Sequence, residues 1–158
     1  MHKLADTVQS AVSVPVLHIA DATAKAVKQA AARRPLLLAT RYTMEQDFYV
    51  SRLRETYGLD VIVPETDDRA AVHQIIFDEL CCGTVLESSR RRYIDVIERG
   101  RAKGADSVIL GCTEIGLLVG DGTRLTRPLR LAGAILARPV GFLRSLWPFG
   151  WSRRTLII

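Results

Sequence analysis

The sequence predicts a doubly wound α/β fold built on a parallel sheet. Three observations carry that reading. Short apolar runs without polar alternation, at residues 16–19, 36–40, 60–63 and 107–110, suit strands buried on both faces. The stretches between them show apolar residues three or four apart, the spacing of amphipathic helices. Pro15, Pro35, Pro64 and Gly58, Gly83, Gly104 fall at the junctions, where chain punctuation belongs. Strands alternating with helices imply right-handed βαβ crossovers and a parallel sheet.

Taken in order, Leu4, Val8 and Ala11 give residues 1–11 a weak helical face without a start signal. The strand at 16–19 contains His18 and is followed by Asp21. Residues 22–32, rich in Ala and Lys, predict a helix that Pro35 ends. After the strand at 36–40, Thr43 with Gln46 three residues on reads as a capping box, opening a helix that runs to Gly58. Met44, Phe48, Tyr49, Leu53 and Tyr57 form its apolar side. A third strand at 60–63 precedes a helix from Asp68 to Gly83 with Val72, Ile75, Ile76 and Leu80 on one face. The next helix, from about Leu86 to Gly104, buries Tyr93, Val96 and Ile97.

Composition narrows the function classes. With 48% hydrophobic and 25% charged residues, the 158-residue chain has the make-up of one globular domain. The net charge of +5 is unevenly spread. Residues 121–158 hold seven of the 22 Lys and Arg and one of the 17 acids, leaving 15 basic against 16 acidic side chains elsewhere. A nucleic-acid partner is therefore not expected, since the body lacks a basic face. Three cysteines, an odd number, argue against a disulfide framework and predict a reducing, cytoplasmic setting. No apolar run approaches the roughly 18 residues of a membrane span. The tail at 120–158 mixes Arg with Trp147 and Trp151 and is punctuated by Pro128, Pro139 and Pro148. The prolines forbid one amphipathic membrane-surface helix, so an irregular tail is expected.

The richest stretch is 107–119, Ser-Val-Ile-Leu-Gly-Cys-Thr-Glu-Ile-Gly-Leu-Leu-Val. Gly111 allows a sharp turn where the strand ends, and Cys112 stands there with Thr113 and Glu114 beside it. Ligands of open α/β sheets bind beyond the carboxyl ends of strands. Together with Leu-Leu-Leu-Ala-Thr40-Arg-Tyr-Thr43-Met and Gln74-Ile-Ile-Phe-Asp-Glu-Leu80, this element resembles the aspartate/glutamate racemase superfamily, in its broad-specificity amino-acid branch. The resemblance runs from about residue 1 to residue 119.

The resemblance implies two pseudo-symmetric α/β halves, no cofactor, and an amino-acid substrate held between the halves. One cysteine from each half then faces the α-carbon, one accepting a proton and the other returning one. Cys112 resembles the catalytic cysteine of the second half. Thr40, Thr43 and Thr113 resemble substrate-binding residues, and Glu114 part of the supporting shell. Such chemistry expects a thiol tuned toward neutrality from its ordinary value of about 8.5. The family's Cys-Thr-Asn-Thr segment, which carries the first cysteine, has no counterpart in this sequence. At the other end, Arg130-Leu131 and Leu136-Ala137 stand where an Asp and a His-Ala start are expected. The resemblance thus implies one half plus part of the other: a remnant of the first half at 1–34, the second α/β domain at 35–119, and the atypical tail. It further implies inactivity alone, with a separately encoded N-terminal half as partner, and surface meant for that half is expected to favour self-association into a homo-oligomer. A non-catalytic module that binds small carboxylates is the rival reading.

Other side chains suit structural roles. Adjacent Cys81 and Cys82 lack the spacing of a zinc or redox site and are expected in the core. His18 is expected to make structural hydrogen bonds, and Arg90-Arg91-Arg92 to form a solvated helix face. Glu65, Asp67 and Asp68 read as a loop-and-cap cluster without calcium spacing, and no metal is expected.

Overall fold

The computed structural model describes residues 4–119 together with the strand residues Arg130–Leu131 and Leu156–Ile157. At its centre β2 (Pro35–Leu38) lies parallel to β3 (Ser107–Leu110), with Leu36 opposite Val108 and Leu38 opposite Leu110. Every residue of both strands is buried, as expected where helices cover both faces. β4 (Arg130–Leu131) continues the parallel sheet beyond β3. On the other side of β2, the predicted strand at 60–63 shrinks to a single parallel bridge between Leu36 and Ile62. Ile62 spends both backbone groups on β2, donating to Pro35 O and accepting from Leu37 N, each at 2.9 Å. Pro64 comes next but one and has no N–H to extend the ladder. A separate parallel pair joins β1 (Val16–Leu17) to β5 (Leu156–Ile157). The other tail residues, Trp147 and Trp151 among them, lie outside the described residues.

The helices keep the predicted faces with local corrections. α1 spans Ala5–Ala11. α2 (Ile19–Gln29) begins at Ile19, so His18 is not a strand residue: it is the N-cap, and its Nδ1 accepts the Ala20 N–H at 3.1 Å. Asp21 in the first turn receives a two-pronged Arg52 guanidinium at 2.6 and 3.0 Å. Burial works to raise the Asp21 pKa, but the hydrogen bonds from Arg52 and Tyr57 prevail and hold it below the usual value. The helix predicted to begin at Thr43 starts earlier and breaks. α3 covers Arg41–Glu45, Gln46 is extended, and α4 covers Asp47–Ser51 before a π-helical turn over Arg52–Thr56. Thr40 occupies the N-cap, so Thr43 and Gln46 form no capping box.

α5 (Thr66–Gln74) widens into a π-turn at Ile75–Glu79 and tightens into a 3₁₀ turn at Leu80–Cys82. Val72, Ile75, Ile76 and Leu80 are buried, as their spacing predicts. Cys81 and Cys82 are not core residues; both are exposed. The π-turn adds a residue to the helical repeat and rotates the next residues away from the buried stripe. α6 (Glu87–Ala102) buries Tyr93, Val96, Ile97 and Gly100. A β-carbon at Gly100 would stand 2.6 Å from Leu36 Cδ2, so glycine sets how closely α6 meets the sheet. Arg90 and Arg91 pair with Glu87 on the α6 surface, but Arg92 does not join a purely solvated face: with Arg99 it binds the buried Asp68 of α5. α7 (Ile115–Leu118) comes after β3. Among the described residues no helix is long and apolar enough to cross a membrane.

Candidate active site

The order of the sheet decides where chemistry can occur. From β2 the chain passes to Ile62 on one side and then returns to β3 on the other. The strand segments after β2 thus lie on opposite sides of it, a topological switch, and such a switch opens a crevice beyond the carboxyl ends of the strands. The segment leaving β2 carries Thr40 and Thr43, and the segment leaving β3 carries Cys112, Thr113 and Glu114. All five sequence-predicted residues therefore lie at the carboxyl ends of neighbouring strands. Gly111 joins the two segments, donating its N–H to Leu38 O at 2.7 Å. A β-carbon there would lie 2.9 Å from Ala39 Cβ, which is why the position takes glycine.

On the β3 side the three polar groups form one knot. Glu114 Oε2 accepts from Cys112 Sγ at 2.8 Å and from Thr113 Oγ1 at 2.7 Å. The Glu114 pKa is held low by the Cys112 hydrogen bond first and the Thr113 hydroxyl second. The Cys112 thiol moves the other way from the sequence expectation. Burial chiefly, with the Glu114 carboxylate next, pushes it up to about 12. The thiolate would face a carboxylate in a half-desolvated site, so the protonated thiol is the resting form. Cys81 adds a smaller repulsion, which brings this exposed thiol within electrostatic reach of Cys112.

On the β2 side Thr40 Oγ1 and Thr43 Oγ1 stand 3.3 Å apart. The Thr43 N–H is not free for an anion, since it donates to Thr40 O at 3.0 Å. Sequence reasoning missed His73. From α5 its Nδ1 accepts the Arg41 N–H at 3.3 Å, and its ring lies 4.7 Å from that of Phe77. Spacing assigns Tyr93 only to the core; its hydroxyl donates to Val72 O at 3.1 Å, and burial raises its pKa, with Cys112 contributing. No local pattern in the sequence marks either role, because both depend on a helix packing from elsewhere in the chain. Two cavities among the described residues, of about 490 and 260 Å³, are lined by neither Thr40 nor Cys112. No group of His, Cys, Asp or Glu among the described residues could hold a metal ion.

Fold and site together define an α/β protein with a thiol–carboxylate–hydroxyl cluster at a strand switch point. The sequence profile of the Asp/Glu/hydantoin racemase family matches residues 1–131, and the chain belongs to that family. A candidate Asp/Glu racemase from Yersinia pestis is similar over 87% of this chain, with 48% identity and a TM-score of 0.78. An aspartate racemase homologue from Pyrococcus horikoshii is similar over 77%, with 38% identity and a TM-score of 0.70. The aspartate racemase of Picrophilus torridus, 22% identical over 75% of the chain with a TM-score of 0.55, shares the fold. The chain spans 59% of the length of the Yersinia protein, 53% of the Pyrococcus protein and 47% of the Picrophilus protein.

Proposed function

We propose that this chain carries one proton-transfer jaw of a cofactor-independent amino-acid racemase, with Cys112 as its acid/base group. The observation that supports the reading most is the Cys112–Thr113–Glu114 knot beside the Thr40–Thr43 segment, in a chain of the racemase family. Thr40, Thr43 and Thr113 supply hydroxyls for the carboxylate of a small amino acid, and Glu114 orients the thiol. Held as a thiol, Cys112 is the arm that delivers a proton to the planar carbanion on its own face. A base on the opposite face removes the first proton, and donors around the carboxylate stabilise the charge that develops. In the reverse direction Cys112 must first lose its proton, which requires Glu114 to swing away or the anion to be offset by bound substrate. The opposing base belongs to the first half of the cleft, and residues 35–119 by themselves supply a proton donor to one face only. Residues 1–34 belong to the first half and 35–119 form the second. The setting is cytoplasmic, and the product class is D-amino acids.

The test is entry of solvent deuterium at the α-carbon of aspartate, glutamate and other amino acids, with the chain alone and with a separately expressed upstream half. Exchange that disappears in Cys112→Ser is the expected result. No Cys112-dependent exchange under either condition rejects the catalytic reading. The protonated resting thiol favours one second reading, a binding module for small carboxylates. Calorimetric binding of amino acids without exchange would establish it.

A further inference from the structure

We propose that the pocket at the amino end of β2, between the end of α2 and the turn after the π-helical segment, binds a small organic anion. Its phosphate or carboxylate head lies between Lys28 and Arg33. The cavity, of about 490 Å³, takes its lining from the segments 28–33 and 57–59. It stands at the opposite end of β2 from Thr40 and Thr43, so its ligand is a different molecule from the one held near Cys112. The inference is independent of the proton-transfer reading.

Charge selects the class of ligand. Lys28 and Arg33 line the pocket, and no acidic side chain does. The carboxylates that border it are engaged already. Asp60 pairs with Arg34, Asp21 with Arg52, and Asp106 takes the backbone N–H groups of Arg33 and Arg34. Lys28 and Arg33 have no ion-pair partner among the described residues. The backbone offers no spare donor, because the N–H groups of Ala31, Ala32, Gly58 and Leu59 bond to carbonyls of the preceding turns. An anion must therefore be held by the two side chains. Two helical segments end here, and their last carbonyls each bring a partial negative charge of about one half. Two full positive charges exceed that sum by about one unit, which an anion from solution neutralises.

Shape selects the rest. The volume falls in the range of about 300 to 1,000 Å³ usual for small-molecule sites and is more than a bare phosphate or carboxylate fills. Ala32 and Leu59, both buried, give it an apolar floor. Tyr57 supplies a wall. Its hydroxyl is hydrogen-bonded to Asp21, and burial first and Asp21 second raise its pKa, so the phenol stays neutral. Lys28 Nζ stands 5.5 Å from the centre of that ring, a cation–π distance that keeps the ammonium at the wall. Left-handed Ala31 and Gly58 turn the two segments sharply, and a β-carbon at Gly58 would meet nothing within 4 Å. A planar or apolar body resting on Ala32 and Leu59 fits this space. Its oxyanion head then reaches the Arg33 fork and the Lys28 ammonium.

NMR titration of the ¹⁵N-labelled chain with phenyl phosphate, phthalate, inorganic phosphate and neutral benzamide tests the site. Phenyl phosphate or phthalate is expected to shift the amides of residues 28–33 and 57–59 saturably, at least about threefold more tightly than inorganic phosphate. Benzamide should shift none of them. Binding of phenyl phosphate alone assigns a phosphate head and binding of phthalate alone a carboxylate head; either result supports the site. Lys28→Glu and Arg33→Glu should each weaken binding at least about tenfold while circular dichroism stays unchanged. Lys28→Arg keeps the charge and should keep the affinity within about twofold. If charge reversal disturbs the fold, the neutral pair Lys28→Gln with Arg33→Gln gives the same readout. No saturable shift with either ringed anion overturns the inference. So do shifts confined to the Thr40 and Cys112 segments, inorganic phosphate binding as tightly as the ringed anions, or affinity unchanged by loss of both cations.

Discussion

The two ends of β2 and β3 are built on different terms. At the amino end, the Asp106 carboxylate accepts the backbone N–H of Arg33 at 2.7 Å, that of Arg34 at 3.0 Å and the Ser107 hydroxyl at 2.9 Å. It thereby ties the start of one strand to the start of the other. Burial alone would raise the Asp106 pKa, but the two backbone donors and Ser107 hold it down. Arg34 adds an ion pair to Asp60, and each of the three helical segments arriving there is followed by a left-handed residue, Ala31, Gly58 or Gly104. At the carboxyl end the helices are short or wound off-pitch, apolar side chains are exposed, and a thiol is kept protonated by burial and by an adjacent anion. The lesson is one of division: an end saturated with hydrogen bonds fixes the register, so the other end can leave groups free to meet a ligand.

Four substitutions break or sharpen this contrast, in order of falling effect. Gly111→Val drives a branched side chain into Ala39 and separates the two site segments, and overpacking of this kind should cost about 3 kcal/mol in urea unfolding. Asp106→Ala releases three donors at the anchored end; a loss of about 2 kcal/mol is expected, with the reactivity of Cys112 toward iodoacetamide unchanged. Glu114→Gln does the reverse. It leaves stability nearly intact but removes the anion beside the thiol, so alkylation at pH 8 should accelerate about tenfold, equivalent to one pKa unit. Ala31→Gly relieves a left-handed alanine (φ 54°) at the end of α2 and should stabilise the fold by about 0.5 kcal/mol.

Cys112 also sets a pH dependence. Its folded pKa, pushed up to about 12, lies above the ordinary thiol value, so between the two the folded chain holds more protons than the unfolded one. Stability must then fall as pH rises through that window. Cys112→Ala should flatten the decline, leaving the share that belongs to the raised Tyr93. An unchanged slope in urea titrations at pH 9 to 12 would reject the thiol assignment.

Much of this was legible because periodicity is local. Val72, Ile76 and Leu80 on α5 and its continuation, and Tyr93, Val96 and Ile97 on α6, are placed by spacing alone and are buried. The readings that failed involve competition from elsewhere in the chain. His18 left its predicted strand because Ala20 offered an N–H to cap, and the strand at 60–63 shortened because one residue, Ile62, meets β2 before Pro64. Cys81 and Cys82 left the core because a π-turn shifted the helical phase, which spacing rules built on 3.6 residues per turn do not register.

By itself the sequence determined the strand–helix alternation and the Gly111 turn, each written in near neighbours through side-chain period and the freedom of a missing β-carbon. Thr40, Thr43, Cys112, Thr113 and Glu114 were singled out by resemblance to the racemase superfamily, which spacing alone does not supply. Only the tertiary structure decided that Ile62 and β3 flank β2 on opposite sides, which brings the two loops to one crevice. It also decided that the Cys112 thiol holds its proton well beyond the range of an ordinary cysteine. Protonation is a matter of solvent exclusion and of the distance to a carboxylate, and both are fixed only when the chain has closed around them.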